Sequence, residues 1–260
     1  TPDGDFIDVD WLDAVQEADA PLVVLFHGLE GSSASHYAGA LMHALAQRGW
    51  AGAVPHFRGC SGESNRLPRA YHSGDSAEID WILRRMRSRF PQRTIFAAGV
   101  SLGGNALLKW AGEQESAARD VVQAVAGVSA PLDLTAAGQA LQQGFSLVYA
   151  KRFLVTLKAG SKDKLARFPG LFDGGRMLAA KTLYDFDDAV TAPLHGFRDA
   201  ADYWLRASSK PWLGGVRLPT LVINALNDPF LPQRALPAPH QVSASVTLEY
   251  PATGGHVGFV

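Results

Sequence analysis

The chain has 260 residues, 47% of them hydrophobic and 19% charged, with a formal net charge of −1. That length suits one large α/β domain with a full core, and the charge balance argues against a nucleic-acid partner. The single cysteine, Cys60, excludes an intrachain disulfide or a cysteine-rich metal site, and no apolar run is long enough to span a membrane. A lone cysteine fits a reducing compartment, so the expected location is cytoplasmic.

Phe6 to Leu12 alternates apolar and polar residues, as a half-buried edge strand does. Pro21 to Phe26 is continuously apolar, the mark of a strand buried on both faces, and it runs into His27-Gly28-Leu29-Glu30-Gly31. A helix is expected from Ser35 to Arg48, with Tyr37, Leu41, Ala44 and Leu45 on one face and Gly49 as its stop. Gly52 to Phe57 reads as a third strand, followed by the loop Arg58-Gly59-Cys60-Ser61-Gly62-Glu63-Ser64. From Asp75 to Phe90 apolar residues recur at helical spacing until Pro91. The cluster Arg84, Arg85, Arg87 and Arg89 on that helix has no interleaved aromatics and reads as a solvated face.

Thr94 to Val100 is a short buried strand that meets Gly99-Val100-Ser101-Leu102-Gly103 and then a helical pattern. This is a G-x-S-x-G elbow in the strand–turn–helix setting that gives the motif meaning. A serine at such a turn takes strained backbone angles, and flanking glycines remove the Cβ atoms that would clash. The alternative reading is a glycine-rich turn whose serine only caps the helix. Ser101 is the expected nucleophile.

Another strand is expected at Ala124 to Ser129. Residues 133–215 then carry helical patterns without a convincing central strand, rich in aromatics that include Phe145, Tyr149, Phe153, Phe172 and Phe186. An insertion of that size reads as a helical cap over the C-terminal edge of the sheet, with ordinary crossover helices as the other reading. The core would then be 1–132 and 216–260. Strands resume at Pro219 to Ala225 and Ser245 to Tyr250. The alternation predicts an α/β fold with a mainly parallel central sheet flanked by helices.

A serine hydroxyl needs a base to take its proton, and the base needs a partner that fixes its tautomer. Sites in such sheets lie past the C-terminal ends of strands. Asp228, in Asn227-Asp228-Pro229, follows one late strand, and His256, in Gly254-Gly255-His256-Val257-Gly258, follows the last. The order Ser101, Asp228, His256 is that of hydrolases built on an elbow. Asp133 is the rival acid, although a helix N-cap suits it better. The backbone N–H groups of Leu29 and Leu102 are the expected oxyanion donors. His27 reads as a prop for its loop and Cys60 as a structural thiol. His36, His43, His56, His72, His195 and His240 show no metal-ligand spacing, and no cofactor-binding motif is present.

These segments resemble the YheT-like branch of the α/β-hydrolases. The resemblance is carried by His27 to Gly31, His56 to Glu63, Asn65-Arg66, Tyr71-His72-Ser73-Gly74, Gly99 to Asn105, Phe186-Asp187-Asp188, His195-Gly196-Phe197, Asn227-Asp228-Pro229 and Gly254 to Phe259. It implies a cofactor-free serine hydrolase of esterase type with a helical cap, and it assigns the triad to Ser101, Asp228 and His256. Animal relatives of this branch include membrane-anchored phospholipases, which leaves lipid-like substrates open. The expected sheet is of the eight-stranded type, lacking an element at an end. Relatives usually continue past the histidine into another helix. This chain starts at Thr1 without an initiator Met and stops four residues after His256, so its termini read as incomplete and the His256 loop is expected to be poorly anchored. The expected reaction is hydrolysis of a small-molecule ester of short-to-medium acyl chain. The alternatives are acyl transfer by the same triad and a non-catalytic ligand-binding member of the fold.

Overall fold

The computed structural model describes residues 1–12, 19–144 and 146–259. Seven strands among these form one sheet in the order β1-β3-β2-β4-β5-β6-β7. They are β1 (Val9–Trp11), β2 (Leu22–Phe26), β3 (Ala51–Pro55), β4 (Ile95–Val100), β5 (Ala124–Val128), β6 (Thr220–Ile223) and β7 (Val246–Glu249). Only β1 runs antiparallel, against β3. The expected edge strand from Phe6 is therefore shorter. The reason lies in the preceding backbone, whose groups bond elsewhere: Phe6 N–H goes to its neighbour Asp5, and the Phe6 carbonyl accepts from Asn65 Nδ2 at 2.8 Å.

Strand alternation sends side chains to opposite faces, and each face is covered. Leu22, Val24 and Phe26 of β2, with Ile95 and Ala97 of β4, meet α2 (Ser76–Arg89) and α3 (Leu102–Gln114). Leu25, Val54 and Val100 meet α1 (His36–Gln47) instead. Helix α3 is buried along most of its length, and fully enclosing a side chain such as Leu107 stabilises the fold by roughly 1.5–3 kcal/mol. On α2 the arginine cluster stays outside the core, with Arg84, Arg85 and Arg89 exposed. Arg87 folds back to donate to the carbonyls of Val121 and Arg93.

Between β5 and β6 the chain forms α4 (Leu134–Ala140), α5 (Ser146–Arg167), α6 (Gly174–Ala179), α7 (Leu183–Phe186), α8 (Ala192–His195) and α9 (Ala200–Ala207). A π-helical turn, Asp187–Thr191, joins α7 to α8. These helices have apolar clusters of their own. Leu154, Phe172, Met177, Phe186 and Val190 form one, and Leu134, Tyr203 and Trp204 centre another. Among the described residues, no helix is long and apolar enough to cross a membrane.

Asp187 sits below the surface on the π turn, accepting from Thr191 Oγ1 at 2.6 Å and Trp204 Nε1 at 2.7 Å. Burial pushes its pKa up to about 6. The folded chain therefore holds this proton to higher pH than the unfolded chain does, and stability falls as pH rises from about 4 through 6. Asp187→Asn keeps a neutral side chain at every pH. The variant should gain on the order of 1–2 kcal/mol over wild type near pH 7.5 and nothing near pH 4. Thermal melts at the two pH values check this; an equal difference at both would show that Asp187 does not titrate with folding.

Candidate active site

Register brings the C-terminal ends of β2, β4, β5 and β6 side by side, with Phe26 opposite Gly99, Val100 opposite Val128 and Val128 opposite Ile223. Ser101 follows β4 directly at φ 51° and ψ −119°, a conformation that a non-glycine residue adopts only where its surroundings hold it. Its N–H donates to the Val128 carbonyl at 2.9 Å. The elbow glycines are needed for space. A Cβ on Gly103 would lie 2.4 Å from the Phe26 carbonyl oxygen, and one on Gly99 would lie 2.5 Å from that of Gly103. Gly103→Ala should therefore cost about 3 kcal/mol or more, since backbone on both sides must shift. A denaturant midpoint within error of wild type would show that this turn has slack.

The structure brings Ser101, His256 and Asp228 together in one hydrogen-bonded chain. Ser101 Oγ donates to His256 Nε2 at 3.0 Å, and His256 Nδ1 donates to Asp228 Oδ2 at 2.8 Å. The Asp228 side chain is fully enclosed, whereas 19% of the His256 side chain remains accessible. Asp228 Oδ1 accepts from the Phe230 N–H at 2.9 Å, so both carboxylate oxygens are engaged and the His256 tautomer is set. The Phe230 ring packs 4.5 Å from the imidazole, centroid to centroid. Asp133 is elsewhere in role: it caps α4, its Oδ1 accepting from Ala136 N at 3.0 Å.

The His256 loop is held from inside the chain. Gly255 N–H donates to Asn227 Oδ1 at 2.8 Å, Val257 N–H to Ser129 Oγ at 3.2 Å, and Gly258 N–H to the Gly254 carbonyl at 2.7 Å. Gly254 and Gly255 turn at φ 154° and 53°, and Val257 at 62°. Sequence reasoning missed Ser129 as the support of this loop. Its signal was a polar residue directly past a buried strand, the same placement that marks Ser101.

The loop after β2 carries Leu29, which lines the same cavity as Ser101 and Leu102. Leu102 opens α3, so its N–H has no partner within the helix. Gly28 N–H donates to Tyr37 Oη at 2.8 Å and Glu30 N–H to Tyr71 Oη at 3.0 Å, which fixes the loop on either side of Leu29. His27 is fully buried, donating from Nδ1 to the Gly28 carbonyl at 2.8 Å and accepting from Phe57 N–H at Nε2 at 3.0 Å. Burial pushes its pKa down to about 4, so it stays neutral and acts as a prop. Cys60 is no rival nucleophile, because burial and then Glu30 push its thiol up to about 12.

The cavity measures about 360 Å³, near the lower end of ligand-pocket sizes. Phe153, Leu157, Phe186, Val190 and Phe230 give it an apolar wall. Phe172 does not reach it and packs instead among the helices, and Phe145 lies outside the described residues. Among the described residues, no group of three or more His, Cys, Asp or Glu side chains is arranged to hold a metal ion.

The family model for the α/β-hydrolase fold matches residues 21–260. The chain belongs to the α/β-hydrolase family. Within it the chain is YheT-like, being 41% identical to YheT of Escherichia coli (strain K12) over 100% of this chain and 76% of that one. It is 30% identical to the phospholipase ABHD3 of Mus musculus over 100% of this chain and 65% of that one. Among solved structures, Est1E from Butyrivibrio proteoclasticus with bound ferulic acid superposes with a TM-score of 0.61, covering 98% of this chain and 88% of that one. At 16% identity this likeness shows the shared α/β-hydrolase fold.

Proposed function

We propose that this carboxylic ester hydrolase works through a triad of Ser101, His256 and Asp228, on esters of short-to-medium acyl chain. The observation that carries the reading is the unbroken hydrogen-bond chain from Ser101 Oγ through His256 to Asp228, opening on an apolar cavity. His256 Nε2 takes the Ser101 proton as Oγ attacks the ester carbonyl, and Asp228 steadies the imidazolium that forms. The backbone N–H groups of Leu29 and Leu102 receive the oxyanion. His256 then returns the proton to the leaving alcohol, and water releases the acyl group by the same steps in reverse.

A fluorophosphonate probe tests the nucleophile: mass analysis of the labelled protein should place one adduct on the peptide containing Ser101. A labelled peptide elsewhere would remove the assignment.

The helical segment 133–215 acts here as the cap that sets acyl length. Each CH₂ buried against the wall contributes about 0.8 kcal/mol, so kcat/KM should climb roughly 4-fold per CH₂ until the cavity is full and then fall. The position of the peak should move when Phe153 is changed to Ala, because that ring lines the cavity. A profile that is flat with acyl length, or untouched by Phe153→Ala, would take the cap out of substrate selection.

A further inference from the structure

Helix α5 carries the cavity wall from an apolar end to a cationic one. Near its start, Tyr149 packs 5.0 Å from the Phe230 ring, which itself packs on His256. Phe153 and Leu157 follow on the cavity side, and Lys164 and Arg167 line the cavity further along. At 1.5 Å per residue, Lys164 lies about 16 Å along the helix from Phe153. The cationic end is thus remote from the hydrogen-bonded serine.

Most charges at that end already have partners. Arg58 donates to Glu78 at 2.7 Å, Asp3 at 2.8 Å and Asp5 at 3.3 Å. Arg69 donates to both oxygens of Asp75, at 2.6 and 2.8 Å. Arg167 donates to the Asn65 carbonyl at 2.6 Å and has Asp163 at 3.8 Å, which also accepts from Ser64 Oγ. Lys164 differs. Its ammonium donates to the Arg69 carbonyl at 3.3 Å, and among the described residues no carboxylate comes within 4 Å of it. Burial, followed by the nearby charge of Arg167, lowers its pKa. His195 also lines the cavity, but its ring packs on His72 with centroids 4.5 Å apart, and its unpartnered Nε2 is buried away from the cavity space. Burial, followed by the neighbouring His72, pushes the His195 pKa down to about 3.

A half-buried ammonium with no carboxylate in contact, and with Asp5 and Asp163 acting on it only from further off, is costly. An anionic group in the cavity would satisfy it by accepting from the ammonium. We propose that Lys164 receives an anionic group of the substrate, a carboxylate or a phosphate borne at a distance from the scissile carbonyl. This rests on the cavity being the ester-cleaving site. The preferred ester is then two-ended, with an apolar stretch along Phe153 and Leu157 and a charge at Lys164.

The test compares p-nitrophenyl alkanoates of six to twelve carbons with esters of the same length that end in a carboxylate, and with a phosphate-ended series. Wild type should favour an anionic series at one chain length by roughly 10-fold in kcat/KM, the discrimination typical of a hydrogen bond to a charged group. Whichever series gains more names the anion. Lys164→Gln should cut that ratio about 10-fold, chiefly through KM, and Lys164→Arg should keep most of it. A wild-type ratio at or below one for every length overturns the anion site while leaving the hydrolase reading intact. An unchanged ratio in Lys164→Gln overturns the role of Lys164. Wild-type turnover of the neutral esters by Ser101→Ala overturns the catalytic reading beneath both.

Discussion

Ser101→Ala should lower ester turnover on the order of 10⁶-fold and abolish fluorophosphonate labelling, with the melting temperature almost unchanged. The separation of the two effects follows from the site. The hydroxyl donates to His256 Nε2 and carries no other structural load that its removal would release into the core. Alanine keeps the Cβ that already sits at φ 51°, so the strained turn is neither relieved nor worsened. Residual hydrolysis would come from the oxyanion donors and from binding alone. Turnover within 10-fold of wild type would falsify Ser101 as nucleophile.

Asp228→Asn should cost about 10⁴-fold in turnover, whereas Asp133→Asn should cost little. The Phe230 N–H fixes one oxygen of Asp228, so an asparagine there must put its carbonyl oxygen on Phe230 and its amide NH₂ toward His256. The imidazole then has to accept at Nδ1 and carry its proton on Nε2. In that tautomer it repels the Ser101 proton instead of taking it. Asp133 faces no such demand. It caps α4 through Ala136 N, and asparagine caps a helix nearly as well as aspartate. Steady-state kinetics on the two variants gives the ranking directly, and the reverse order would move the acid to Asp133.

The strand–elbow–helix run and the strand-end positions of Asp228 and His256 were legible because each is a local pattern: an apolar run, then a polar residue among turn formers. The sheet was legible for the same reason, since Pro21 to Phe26 and Gly52 to Phe57 read as strands without knowledge of their neighbours, within a residue or two of β2 and β3. What the sequence hid was whatever depends on distant partners. Ser129 looks like the tail of a strand until Val257, 128 residues on, donates to it. Asn227 looks like a turn residue until Gly255 meets its Oδ1. Phe172 and Phe153 are alike in composition, yet one fills a helix cluster and the other faces the cavity. Helical periodicity gives a face, and packing decides what that face meets. The Arg58 cluster was hidden too, because Asp3 and Asp5 reach it from more than 50 residues away.

Ser101 and the base it donates to are separated by 155 positions in the chain. During synthesis the elbow can form as soon as β2, β4 and β5 pair, long before β7 and the loop behind it exist. Throughout that interval the hydroxyl has no imidazole beside it and is no more nucleophilic than any serine on a protein surface. Under the proposed mechanism the hydroxyl gains its base only when the His256 loop docks, so a half-folded chain presents the turn without its chemistry.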